Sequence, residues 1–166
     1  MDTNQKLGFY GIEMEKVMSE LMHIIYASAA SEPFEEQELI ALLNKARANN
    51  QSIGVSGILL IHEQSFFQII EGHPATVQAL YDKIAADPRH QKVSVIISEP
   101  IAERSFAEWT MGHSDVSAAD LQAIDGTNDF FADGNCFTDL SKGRAKKLMR
   151  AFSQGSWRLG LEANVG

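Results

Sequence analysis

Two residues are polar where their neighbours are not. Gln68 lies inside Ser65-Phe66-Phe67-Gln68-Ile69-Ile70, and Tyr26 lies inside Met22-His23-Ile24-Ile25-Tyr26-Ala27. A buried amide or phenol without a partner costs roughly 1–3 kcal/mol, so each must find one in the fold or in a ligand. The residues alone leave both options open. Asn49-Asn50 reads as a helix terminus or a ligand contact, and Asp87, Arg89 and His90 read as loop polars or as part of a site. Other chemistry is poorly represented. Cys136 is the only cysteine, which excludes an internal disulfide and a cysteine-based zinc or iron–sulfur site within one chain. The five histidines, at 23, 62, 73, 90 and 113, have no i, i+4 metal spacing, so no metal is expected. GxSxG, HExxH, a Walker A loop and GxGxxG are all absent.

The elements that must carry these residues follow from periodicity. Met14, Val17, Met18 and Leu21 form one apolar helical face in an N-terminal arm. Met22 to Ala27 is a first strand, apolar on both faces, and both faces should be covered. A helix is expected from about Glu35 to Ala48, with the stripe Leu39, Leu42, Leu43 and Ala46, ended by Asn49-Asn50. Ile53 to Ile61 and Ser65 to Glu71 are two strands joined at hairpin length. On the second, Phe66, Gln68 and Ile70 share one face, and Phe67, Ile69 and Glu71 the other. Pro74 opens a second helix with the stripe Val77, Leu80, Tyr81 and Ile84, and Asp87-Pro88 stops it. Lys92 to Ser98 is a fourth strand, with Val93, Val95 and Ile97 on one face. The order is strand, helix, strand, strand, helix, strand. The fold class is therefore α+β: a ferredoxin-like βαββαβ sheet with two helices on one face. Trp109 to His113 could add a short edge strand. Ala145, Leu148, Met149 and Phe152, followed by Trp157, supply a C-terminal helical cap for the other face, and Asp125 to Gly134 is a polar loop within the tail.

Composition narrows the function classes. The chain has 166 residues, 45% hydrophobic and 22% charged, which suits one globular domain with extra segments. No apolar run approaches the roughly 20 residues of a membrane span, and the polar opening Asp2 to Gly8 is no signal peptide. The net charge of −8 disfavours direct nucleic-acid binding. One stretch runs against it: Ser141 to Arg158 holds Lys142, Arg144, Lys146, Lys147, Arg150 and Arg158 and no acid. It is either a solvated helix face or a docking strip for an acidic partner. A single cysteine fits a reducing cytoplasm.

Taken together, these residues carry a resemblance. Tyr26-Ala-Ser28, Ala46-Arg47-Ala-Asn-Asn50, Gly54-Val-Ser-Gly57, Phe66-Phe67-Gln68-Ile-Ile-Glu71-Gly72, Asp87-Pro-Arg89-His90 and Arg104-Ser-Phe106-Ala-Glu-Trp109-Thr-Met111-Gly112 resemble the BLUF domain, the blue-light sensors using flavin. The likeness runs over about Leu21 to Ser114, and the tail resembles the two-helix cap of short members. It implies a flavin-binding domain over 21–114 and a cap over 115–166, and the N-terminal arm over 1–20 lies outside it. It implies an oxidised flavin held non-covalently between the two helices, FAD with FMN as the alternative. Asn49, Asn50, Gln68, Lys83, Asp87, Arg89 and His90 stand at the matching cofactor-binding positions. Lys83 replaces a more usual Arg and loses its fork geometry.

The resemblance makes Tyr26 and Gln68 the photoactive pair. A phenol beside a photo-oxidant donates an electron and sheds its proton. An amide has a donor end and an acceptor end, so rotation or tautomerisation changes the bond that it offers. Trp109 and Met111 stand where the family has a Trp and a Met beside the Gln, as candidate signalling residues. No catalytic activity is expected. The expected output is partner binding by a downstream signalling protein, or a change of homo-oligomeric state, in the cytoplasm and away from membranes. Two other readings stay open on the residues alone. One is a ferredoxin-like enzyme of acylphosphatase type using Arg47 and an Asn, and the other is a ligand-free interaction module.

Overall fold

The computed structural model describes residues 20–122, 124, 130 and 137–153. The arm expected at Met14 to Leu21 falls outside these residues apart from its last position, as do Trp157 and most of the loop expected over Asp125 to Gly134. Five strands and two long helices form the frame: β1 (Leu21–Ala30), α1 (Glu36–Ile53), β2 (Ser56–His62), β3 (Ser65–Gly72), α2 (Pro74–Ala85), β4 (His90–Ile101) and β5 (Gly112–Asp115). A short helix α3 (Ala118–Gln122), a 3-10 turn (Phe137–Asp139) and α4 (Lys142–Ser153) follow. The sheet order is β4-β1-β3-β2-β5; the first four strands are antiparallel, and β5 lies parallel to β2. This is the expected ferredoxin-like arrangement with one edge strand added.

Strand parity sorts the core into two layers. Ile24, Tyr26, Leu59, Phe66 and Ile70 pack with Leu43 of α1 and Val77 of α2. Their alternates Ile25, Ala27, Ile58, Leu60, Phe67 and Ile69 pack with Phe137, Ala145, Leu148 and Phe152 of the cap. The cap is also tied by charge. His23 Nε2 of β1 lies 3.0 Å from Glu99 Oε1 of β4, and Lys146 Nζ of α4 lies 3.3 Å from the same oxygen. Arg144 stacks over the Phe130 ring at 5.1 Å. Two cations of the basic 141–158 stretch are thus engaged within the chain.

Four local expectations change. Helix α1 does not end at Asn49-Asn50. It continues to Ile53, because the stop is Gly54, whose left-handed φ of 72° lets its N–H close on the Asn50 and Gln51 carbonyls. The next strand accordingly begins at Ser56 and not at Ile53. Val93, Val95 and Ile97 do not share a face. The β1–β4 register shifts between Ile25↔Ile97 and Tyr26↔Val95, so Ile96 is an inserted bulge residue. Ile96 and Ile97 both join the cap-side core, and Val95 is left 42% exposed. The edge strand starts at Gly112, so Trp109 to Met111 is an irregular lead-in with no alternation of faces.

Candidate functional site

Tyr26 and Gln68 are direct partners in the β1–β3 register, side by side on the helix-facing layer. Tyr26 is 1% exposed, with its ring edge-on to Tyr81 of α2 at 5.4 Å. Its hydroxyl has no hydrogen-bond partner among the described residues. Burial raises its pKa, and neighbouring Tyr81 adds to the rise, so the phenol is held protonated. Gln68 is half-buried and lines a cleft of about 240 Å³ between α1, α2 and the sheet. Its Nε2 donates to Met111 Sδ at 3.4 Å.

The cleft gathers residues from four separate stretches of chain. Asn49 and Asn50 come from the last turns of α1, and Lys83 from the last turn of α2. Asp87 and Arg89 follow on the loop into β4, His90 opens that strand, and Met111 comes from the lead-in to β5. Leu43, Leu59, Phe66 and Ile84 give the cleft apolar walls. Asn50 is 2% exposed because α1 runs on past it, and its Nδ2 donates to the Thr110 carbonyl at 2.7 Å. One turn earlier, Arg47 Nε donates to the Met111 carbonyl at 2.8 Å. Arg47 is therefore engaged in holding backbone.

The loop polars form a small charged unit. Arg89 Nε lies 3.0 Å from Asp87 Oδ1 and also bonds Oδ2 through Nη2. These side-chain bonds hold the Asp87 carboxyl down at about 2. His90 Nδ1 lies 3.1 Å from Ser28 Oγ, and its ring sits edge-on to Phe66 at 5.5 Å. Burial lowers its pKa, opposed by Asp87 and assisted by Arg89, so the neutral imidazole is favoured.

Trp109 and Met111 go to opposite layers. Met111 is 1% exposed against Gln68, whereas Trp109 packs on the cap-side core beside Phe106. Two residues that would share a face in a strand diverge because the chain is not extended there. The Trp109 ring lies so close over Gly112 that a side-chain carbon at Gly112 would overlap it. Sequence reading missed the roles of Glu71, Arg104 and Ser56, which fasten the chain leading to Trp109. The available signal was Glu71 itself, an acid on the same strand face as Phe67 and Ile69.

The cleft fits a flavin on the chain's own features. A buried phenol lacks a partner, an amide lines the cavity beside it, and apolar walls carry further amide and cationic groups at the rim. Residues 21–112 match the model of the BLUF family, sensors of blue-light using FAD. Over 100 residues, 59% of the chain, the sequence is 37% identical to photoactivated adenylate cyclase subunit alpha of Euglena gracilis. The chain spans about a tenth of the length of the curated relatives that it matches. It is similar to the dark-state structure of the BLUF protein BlrB, with a TM-score of 0.68, 30% identity, and coverage of 83% of this chain and 98% of that one. It is also similar to the ground state of BlsA, with a TM-score of 0.69, 26% identity, and coverage of 80% and 87%. With the family match over more than half its length, the chain belongs to the BLUF family of blue-light sensors that use flavin.

Proposed function

We propose that Tyr26 and Gln68 are the photoactive pair of this sensor, and that the flavin is FAD held by Asn49, Asn50, Gln68, Lys83, Asp87, Arg89 and His90. The observation that carries this reading is the cross-strand pairing of a buried, unpartnered phenol with an amide that lines the cleft. When bound, the flavin supplies an electron acceptor under blue light. Tyr26 Oη holds the proton that the response moves, and burial keeps it there in the dark. Gln68 is both donor and acceptor, so turning its amide exchanges the group presented to the cleft without moving the strand. The apolar walls exclude water from that exchange.

The cap supports a route outward. Phe67 and Ile69 flank Gln68 and lie against Phe137 and Leu148. Residues 21–114 would thus sense light, and 115–166 would transmit it. The chain would carry no enzymatic output of its own and would act in the cytoplasm by changing its binding to a signalling partner or its self-association. The tests are direct. The purified chain should be yellow and show a reversible red shift under blue light, and Gln68→Leu should stay yellow without the shift. A colourless protein, or a normal shift in Gln68→Leu, refutes the assignment. Extraction and chromatography of the flavin separates FAD from FMN.

A further inference from the structure

Met111 meets Gln68 at the end of a segment, residues 102–111, that crosses from β4 to β5. Groups outside the cleft hold the start of this segment. Glu71 lies three residues after Gln68 on β3, on the opposite face, and is fully buried. Its Oε1 accepts the Phe106 N–H at 2.7 Å and the Ser56 hydroxyl at 2.9 Å, and its Oε2 accepts the Ser105 N–H at 3.0 Å. Arg104 adds a second fastening. Its Nη1 donates to Ser56 Oγ at 2.8 Å and to the Glu71 carbonyl at 3.2 Å, and its Nη2 donates to the Gly54 carbonyl at 2.7 Å. The Gly57 N–H then donates to the Trp109 carbonyl at 2.9 Å, and Asn50 and Arg47 hold the last two carbonyls.

A buried carboxylate is a costly way to stabilise a core, since an apolar residue of similar volume often does as well. What it supplies is short, charge-assisted bonds with fixed geometry. Glu71 directs those bonds at two successive backbone amides of the one segment that delivers Met111. We propose that Glu71 is a positioning residue for the light response. It clamps Ser105 and Phe106 and so sets where Met111 stands against Gln68, and Arg104 locks the clamp to the turn between α1 and β2. The proposal rests on Gln68 being the photoactive amide. Because β3 carries both Gln68 and Glu71, the amide and the clamp keep a fixed separation. A turn of the Gln68 amide must then be taken up at Met111 and cannot be absorbed by drift of the segment's start.

The test uses the full chain with Glu71→Gln and Arg104→Gln, each with and without flavin. Glu71→Gln keeps the volume but replaces one acceptor oxygen with an amide that faces a backbone N–H. Without flavin, exchange of the Ser105 and Phe106 amides should quicken by about tenfold, as expected for loss of a charge-assisted bond. With flavin, the red shift should persist while dark recovery changes by about threefold or more, a rate effect that a purely structural clamp would not produce. Ser56→Ala removes the hydroxyl between the two charges and carries the same expectation if Glu71→Gln does not fold. A wild type that red-shifts, with recovery unchanged in every variant, overturns the proposal and leaves the reading of Gln68 intact. A wild type without a red shift overturns the reading of Gln68 and the proposal with it.

Discussion

Replacing Tyr26 by Phe separates the cost of its hydroxyl from its use. The ring is 1% exposed and packs on Tyr81, and Phe preserves that packing. The hydroxyl has no partner among the described residues, and a buried hydroxyl in that state costs about 1–3 kcal/mol. Flavin-free Tyr26→Phe should therefore be more stable than wild type by about 1–2 kcal/mol, allowing for some relaxation around the native hydroxyl. For a chain of this size that is a rise in melting temperature of about 2–8 °C. Urea unfolding should show a higher midpoint with an unchanged slope. In the flavin-loaded protein the gain should shrink, since there the hydroxyl acquires a partner, and the light-induced red shift should vanish. A flavin-free variant that is about 1 kcal/mol less stable than wild type would show that the fold itself satisfies the phenol. A normal red shift would remove Tyr26 from the light response.

Asn50→Ala should weaken flavin retention by about tenfold to a hundredfold, from about 1–3 kcal/mol of lost buried hydrogen bonding, read by titration of the flavin-free protein; unchanged affinity would exclude Asn50. Gly57→Ala should destabilise the fold by about 1–3 kcal/mol or more, because a methyl there overlaps the Ile69 carbonyl on the adjoining strand; wild-type stability in urea would contradict that packing. His90 has a folded pKa below its unfolded 6.5, so its contribution is complete above pH 6.5. As pH falls through 6.5 the unfolded chain binds a proton that the fold refuses, and stability drops until the folded value is passed. His90→Gln should remove that step in a pH series of melting curves and leave the lower one due to Asp87, which is lost as pH falls from 3.8 to about 2. Trp109→Ala should keep the red shift and change the light-dependent hydrogen exchange of α4, whereas Met111→Ala should change the flavin spectrum itself; identical spectra and exchange in both would close this route.

Much of the molecule was legible because its signals are local. The alternation in Phe66-Phe67-Gln68-Ile69-Ile70 sets which side chains share a face wherever the strand is placed. The stripe Val77, Leu80, Tyr81 and Ile84 does the same for α2, and the spaced motifs around Tyr26, Gln68 and Asp87 identified the family. Other features depend on partners distant in sequence. Helix α1 passes the asparagines because Gly54 can turn left-handed where they need not, and only that extra turn buries Asn50 beside Thr110, sixty residues away. The bulge at Ile96 comes from fitting β4 to β1 and leaves no mark in the alternation of β4 itself. Trp109 and Met111 part because bonds from Glu71, Gly57 and Arg47 shape the chain between the layers. Local pattern alone set the element order, the faces of β1 and β3 and the strands that carry Tyr26 and Gln68. Contacts between distant residues decided which layer Trp109 and Met111 each join, because those hydrogen bonds close between residues 35 to 64 positions apart, beyond the reach of any local period.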